Sequence, residues 1–119
     1  MSTQLGKALL DAGYDVPLEL VPHIEGYTTR RLEDLREIQR LFRDAQYSDI
    51  RRITHNIKGN AASYGFSKLA EVVIGIEHAI ETSDFTRAGS MICDMEAELA
   101  KISKAIQDQK TLEERLHTA

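Results

Sequence analysis

Apolar residues recur along this chain in steps of three and four, the spacing of a helix with one buried face, and nowhere alternate with polar ones long enough to suggest a strand. Both prolines, Pro17 and Pro22, fall at the start, so the remainder is free to form long helices. The first long segment, about 22–44, starts with Pro22 near a helix N1 position and sets Ile24, Tyr27, Leu32, Leu35, Ile38, Leu41 and Phe42 on one broad face. A second, about 46–64, repeats Tyr47, Ile50, Thr54, Ile57, Ala61 and Tyr64, and Gly65 suits the stop position after it. The third takes Ser67 as its N-cap and aligns Leu69, Val72, Val73, Ile76 and Ile80; Thr82-Ser83-Asp84 closes it and caps the next. The fourth carries Phe85, Ala88, Ile92, Met95, Leu99, Ile102 and Ile106, a sustained bundle seam.

The connections between these segments are about two to four residues long, which makes neighbours antiparallel. The prediction is an all-α protein: an antiparallel up-down four-helix bundle with a short N-terminal extension. The bundle spans 22–106. Residues 1–21 form the extension, with a short helix over 3–12 that Gly6 and its few apolar positions, Leu5, Leu9 and Leu10, leave to pack as a flap or fray. Residues 107–119 are a polar helix extension or tail that keeps only Leu112 and Leu116.

A chain of 119 residues builds one core, and 42% apolar with 29% charged residues is a globular balance rather than a disordered one. No run approaches the ~20 apolar residues of a spanning helix, and no basic leader precedes an apolar region, so a cytoplasmic protein is expected; whether it is free-standing or an excised segment stays open, the initial methionine favouring the former. The single cysteine, Cys93, has no partner for an internal disulfide and reads as a helix residue. A formal charge of −4 argues against nucleic acid as a partner. Within this acidic chain "RRITHNIK" is locally basic, with Arg51, Arg52 and Lys58 around His55, which suggests a site for a small anionic group.

At about 100° per residue, His55 points roughly 150° away from the centre of its own helix's apolar stripe. Lys58 lies within about 60° of it, and Gly59 and Ala62 within about 40°. A mid-helix glycine costs ~1 kcal/mol relative to alanine, and Gly59 sits on the solvent side, where something from outside needs the space. A neutral imidazole nitrogen is a competent nucleophile near neutral pH. A neighbouring ammonium favours the neutral ring and offsets the charge of a phosphoryl group once it is attached.

His55-x-x-Lys58-Gly59, then small Ala61, Ala62 and Ser63, then Gly65-Phe66, resembles the histidine phosphotransfer (HPt) domain family, and the similarity covers the helical layout from about Pro22 to Ile106. The resemblance implies a two-component phosphorelay, in which His55 accepts a phosphoryl group from the aspartyl phosphate of one receiver domain and passes it to another. It makes Lys58 the phosphate-stabilising companion, and Gly59 and Ala62 the clearance for a partner's approach. Phe66 becomes a partner contact. Glu77 falls where the family presents a polar residue, often glutamine, to the other ring nitrogen: a carboxylate there could accept the imidazole N–H and fix the tautomer, yet would repel a bound phosphate. The implied partners are receiver domains of response regulators or hybrid sensor kinases, met by a monomer with no nucleic acid and no membrane. No cofactor or metal is expected in this chain, Mg²⁺ belonging to the receiver.

Other readings fit less well. His23, His78 and His117 lack comparable company, and a di-metal carboxylate bundle needs two Glu-x-x-His pairs where only Glu114-x-x-His117 occurs. Met91 and Met95 read as core filler. A sensor kinase's dimerisation helix also carries a phosphorylated histidine, but Asn60 stands where its usual proline would be, and the chain has no room for an ATP-binding domain. The chain is therefore read as a phosphoryl carrier rather than an enzyme. The rival from another class is an adaptor that binds a receiver without accepting phosphate.

Overall fold

The computed structural model describes residues 2–118, all in helices and short connections. Five α-helices follow in order: α1 (Ser2–Asp11), α2 (Ile24–Arg43), α3 (Tyr47–Ala61), α4 (Ser67–Glu81) and α5 (Phe85–Thr118), with a 3₁₀ segment, Leu18–His23, ahead of α2. Helices α2 to α5 close a ring in which each packs on the next and α5 returns to α2. Cross-helix pairs give the directions. Tyr27 and Phe42 of α2 meet Asn60 and Tyr47 around α3; Arg51 and His55 of α3 meet Glu81 and Glu77 of α4; Glu25 of α2 meets Lys110 of α5. Each of these neighbours is antiparallel to the other.

Most positions the periodicity selects are buried: Ile24, Tyr27, Leu35, Ile38 and Leu41 in α2, Ile50, Thr54, Ile57 and Ala61 in α3, Leu69, Val72, Val73, Ile76 and Ile80 in α4, and Ala88, Ile92, Met95, Leu99, Ile102 and Ile106 in α5, whereas Leu32, Phe42, Tyr47 and Tyr64 are partly buried, Phe85 is exposed, and Thr28, Ala70 and Ala79 join the core outside the predicted stripes. Thr54 can be buried because its hydroxyl donates to the Ile50 carbonyl and so is not left unpaired.

Several boundaries differ from expectation for local reasons. Pro22 lies inside the 3₁₀ segment, and α2 starts at Ile24 with His23 in the N-cap place. Helix α3 ends at Ala61, and the chain continues through turns to Gly65, whose φ of +87° lets Gly65 N–H reach the Ala62 carbonyl and Phe66 N–H the Ala61 carbonyl. This is the Schellman pattern. It puts Phe66, not Ser67, in the N-cap place of α4, with no side-chain cap. Ala45 and Ser83, at φ +56° and +57°, end α2 and α4 by the same pattern, and Asp84 caps α5 by accepting the Arg87 N–H.

Among the described residues the N-terminal segment packs against the bundle. Leu9, Tyr14, Val16 and Val21 are in the core, and α1 runs along α5. Tyr14 donates its hydroxyl to Glu98 at 2.8 Å and meets the Phe66 ring edge-on. Helix α5 continues past Ile106 beside α1, with Leu112 and Leu116 exposed, and gives the molecule its 53 Å length.

Candidate functional site

Helix α3 presents one side to the core through Ile50, Thr54, Ile57 and Ala61, so the residues between them must face out. The His55 side chain is accordingly 68% exposed on a helix fixed from beneath. Its Nδ1 lies 3.5 Å from Oε2 of Glu77 on α4, a contact within ion-pair range and long for a hydrogen bond. The opposite ring nitrogen, Nε2, has no protein partner among the described residues and faces solvent.

Glu77 is the pivot of the site. It sits in the groove between α3 and α4, its side chain only 12% exposed, and its other oxygen, Oε1, accepts a 2.6 Å charge-assisted bond from Lys58 Nζ. That bond holds the Glu77 carboxyl below the usual carboxylate range; burial opposes it, and the charges of Lys58 and His55 assist. The carboxylate therefore stays ionised beside the ring. The Lys58 ammonium is engaged by Glu77 and is not standing free beside the imidazole.

The clearance side of the site is open. Nothing comes within 4 Å of where a Gly59 Cβ would lie, so no packing inside the bundle requires this glycine. Ala62 and Ser63 are exposed one turn further along. His55, Glu77, Lys58, Gly59 and Ala62 thus share one face of the α3–α4 pair.

Phe66 does not belong to that face. It is 0% exposed, closed in by Tyr14 and Tyr27, and cannot touch a partner. The Schellman pattern explains this, because the residue after the left-handed glycine turns back onto the last helical turn and brings an apolar side chain with it. Ile74 is the exposed apolar residue that sequence reading passed over. It is 49% exposed on α4, one turn before Glu77 and roughly 145° from the centre of that helix's buried stripe. Its failure to fit the stripe of Leu69, Val72, Val73, Ile76 and Ile80 was the available signal.

One comparison bears directly on this geometry: the sequence profile of the family described as the Hpt domain matches residues 29–109, well over half of the chain. The chain belongs to the Hpt domain family. No curated protein and no solved structure matches it. An Hpt domain is a phosphotransfer carrier of two-component systems and not a kinase, and it interacts with receiver domains. The matched region begins inside α2, includes all of α3 and α4 and ends in α5, so it contains the His55 face and leaves out α1. Among the described residues of this Hpt domain no helix is long and apolar enough to cross a membrane.

Proposed function

We propose that Nε2 of His55 accepts a phosphoryl group from the aspartyl phosphate of a receiver domain and then gives it to the aspartate of another. The observation that carries this reading is the exposed ring on a packed helix: Nδ1 lies 3.5 Å from an ionised Glu77 while Nε2 faces outward. Glu77 favours the tautomer with the proton on Nδ1, which leaves the lone pair on Nε2. In the forward step that pair attacks phosphorus as the acyl P–O bond breaks. Its electrons leave with the aspartyl carboxylate, an N–P bond forms, and the proton stays on Nδ1 against Glu77. The second transfer runs the same exchange in reverse.

The Hpt domain contributes position more than chemistry. A nucleophile fixed on a packed helix needs little reorganisation to reach an in-line geometry. The Mg²⁺ that assists the transfer is assigned to the receiver, and this chain acts as a monomer. The partner docks on α3 and α4 around His55, with Gly59 and Ala62 admitting its active site and Ile74 supplying an apolar contact within a charged rim.

Incubation with a phosphorylated receiver is expected to move the label to this chain in an acid-labile, base-stable bond. A chain that binds the receiver and never takes the label would be an adaptor instead. Lys58→Ala should slow transfer about tenfold, roughly 1.4 kcal/mol in the barrier, with near-normal receiver binding, because Glu77 loses the partner that holds it and turns an uncompensated charge toward the incoming phosphoryl group. Stopped-flow transfer rates and a binding isotherm separate the two quantities. Gly59→Ala should raise the melting temperature by about 4 °C, from the ~1 kcal/mol gained in helix propensity, while slowing transfer several-fold. Thermal denaturation and transfer kinetics on the same sample check both halves.

A further inference from the structure

Two arginines precede His55 by one helical turn, and the reading of His55 as phosphoacceptor gives them no task. Side chains on a helix lean toward its N-terminus, so the ring at position 55 lies over the turn that carries residues 51 and 52, just as Lys58 lies back over the turn that carries the ring. Lys58 is also the cation held most firmly. Its 2.6 Å bond goes to a carboxylate that is largely buried. Arg51 holds Glu81 of α4 at 3.0 Å and Arg52 holds Asp49 of α3 at 3.3 Å, both as exposed pairs. Exposed pairs of this kind are worth little and exchange partners readily, whereas a part-buried pair is costly to break.

We propose that Arg51 and Arg52 form a guanidinium clamp that leaves Glu81 and Asp49 to bind the phosphoryl group once it is on His55, while Lys58 remains on Glu77. The proposal rests on phosphorylation of His55 and names the groups that receive its product. A phosphoryl group brings up to two negative charges and three acceptor oxygens, and the planar fork of an arginine matches that geometry better than an ammonium does. At i−4 and i−3 both arginines lie within side-chain reach of the ring. Glu77 on α4 is the anion beside the ring, at 3.5 Å, and Glu81 on α4 and Asp49 on α3 are the carboxylates that the arginines hold. Lys58 offsets the first of them, and the arginines turn from the other two toward the phosphoryl group. The sequence marks the basic cluster around His55 as a site for a small anionic group; the pairing that keeps Arg51 in reserve depends on α4, 30 residues further along the chain.

The test uses potassium phosphoramidate as donor, so that no receiver is needed. Its P–N bond breaks with loss of ammonia as the bond from His55 Nε2 to phosphorus forms. The ³¹P resonance of the labelled chain is then followed from about pH 5.5 to 9, across the usual second ionisation of a phosphoryl group near 6. Guanidinium groups favour the dianion, so Arg51→Gln with Arg52→Gln is expected to raise the phosphoryl midpoint by about half a pH unit or more, and Arg51→Lys with Arg52→Lys to restore much of it. Lys58→Gln should move the midpoint less. A midpoint unmoved by the arginine variants, or moved more by Lys58→Gln, overturns the clamp while the label still identifies His55. A chain that takes no label at all removes the reading beneath it as well.

Discussion

Replacing His55 with glutamine is expected to abolish phosphoryl transfer and leave the fold as it is. The imidazole is 68% exposed and its closest polar contact is a 3.5 Å approach to Glu77, so its loss should change stability by no more than about 0.5 kcal/mol. Lys58 keeps its 2.6 Å bond to Glu77 without it. Glutamine offers a side chain of comparable reach with an amide nitrogen whose lone pair is delocalised, so the receiver can still dock while no nucleophile meets its aspartyl phosphate. The expected result is a chain that melts with the parent, binds the receiver with near-parental affinity and takes no label. Transfer that persists in this variant would remove His55 from the mechanism.

Replacing Gly65 with alanine should have the largest effect on stability. Gly65 has φ +87°, a conformation that L side chains rarely adopt, and an added Cβ would run into the Asp15 carbonyl, 2.7 Å from its carbon. Neither problem has an inexpensive remedy, because the obstacle is backbone and the left-handed turn is what sends Phe66 into the core. A loss of about 3 kcal/mol or more is expected, combining backbone strain with displacement of the 13–16 segment from the end of the α3–α4 pair. Chemical denaturation should report it, with the melting point lower by more than about 10 °C. A change below about 1 kcal/mol would mean that the N-terminal segment can lift away from the bundle at little cost.

How far the fold could be read depended on whether a feature was local. The exposure of His55 follows from 100° steps around one helix, and so do the stripes of α3, α4 and α5, because a helix of this length has one direction in which to bury apolar residues. The openness at Gly59 was legible for the same reason. Phe66 was misread because its place beside the His55 motif suggested a surface role; the glycine at 65 already implied that the following residue folds back and inward. A proline suits the start of an α-helix, which is why the sequence puts Pro22 there; it lies instead in the last turn of the 3₁₀ segment, two residues before α2 begins.

Features carried by tertiary contacts were out of reach. Lys58 and Glu77 are 19 residues apart, and nothing in either helix alone states that they share a bond. The resemblance placed Glu77 near the ring but left its charge unbalanced, as an anion that would repel phosphate. The structure supplies the counter-charge, and with it the reason a carboxylate can stand where an amide is usual. The expectation for residues 1–21 went no further than a short helix that packs or frays, and Tyr14 drew no reading; it donates its hydroxyl to Glu98 and buries its ring against Phe66. Amphipathic side chains satisfy both demands at once.

The account turns on which nitrogen of which ring carries the phosphoryl group. Labelling the chain with ¹⁵N-histidine, phosphorylating it from a receiver and recording ³¹P–¹⁵N couplings answers that directly. The prediction is one phosphorus coupled to Nε2 of His55, with the Nδ1 proton retained toward Glu77. Phosphorus on Nδ1, on another histidine or on no histidine would contradict it.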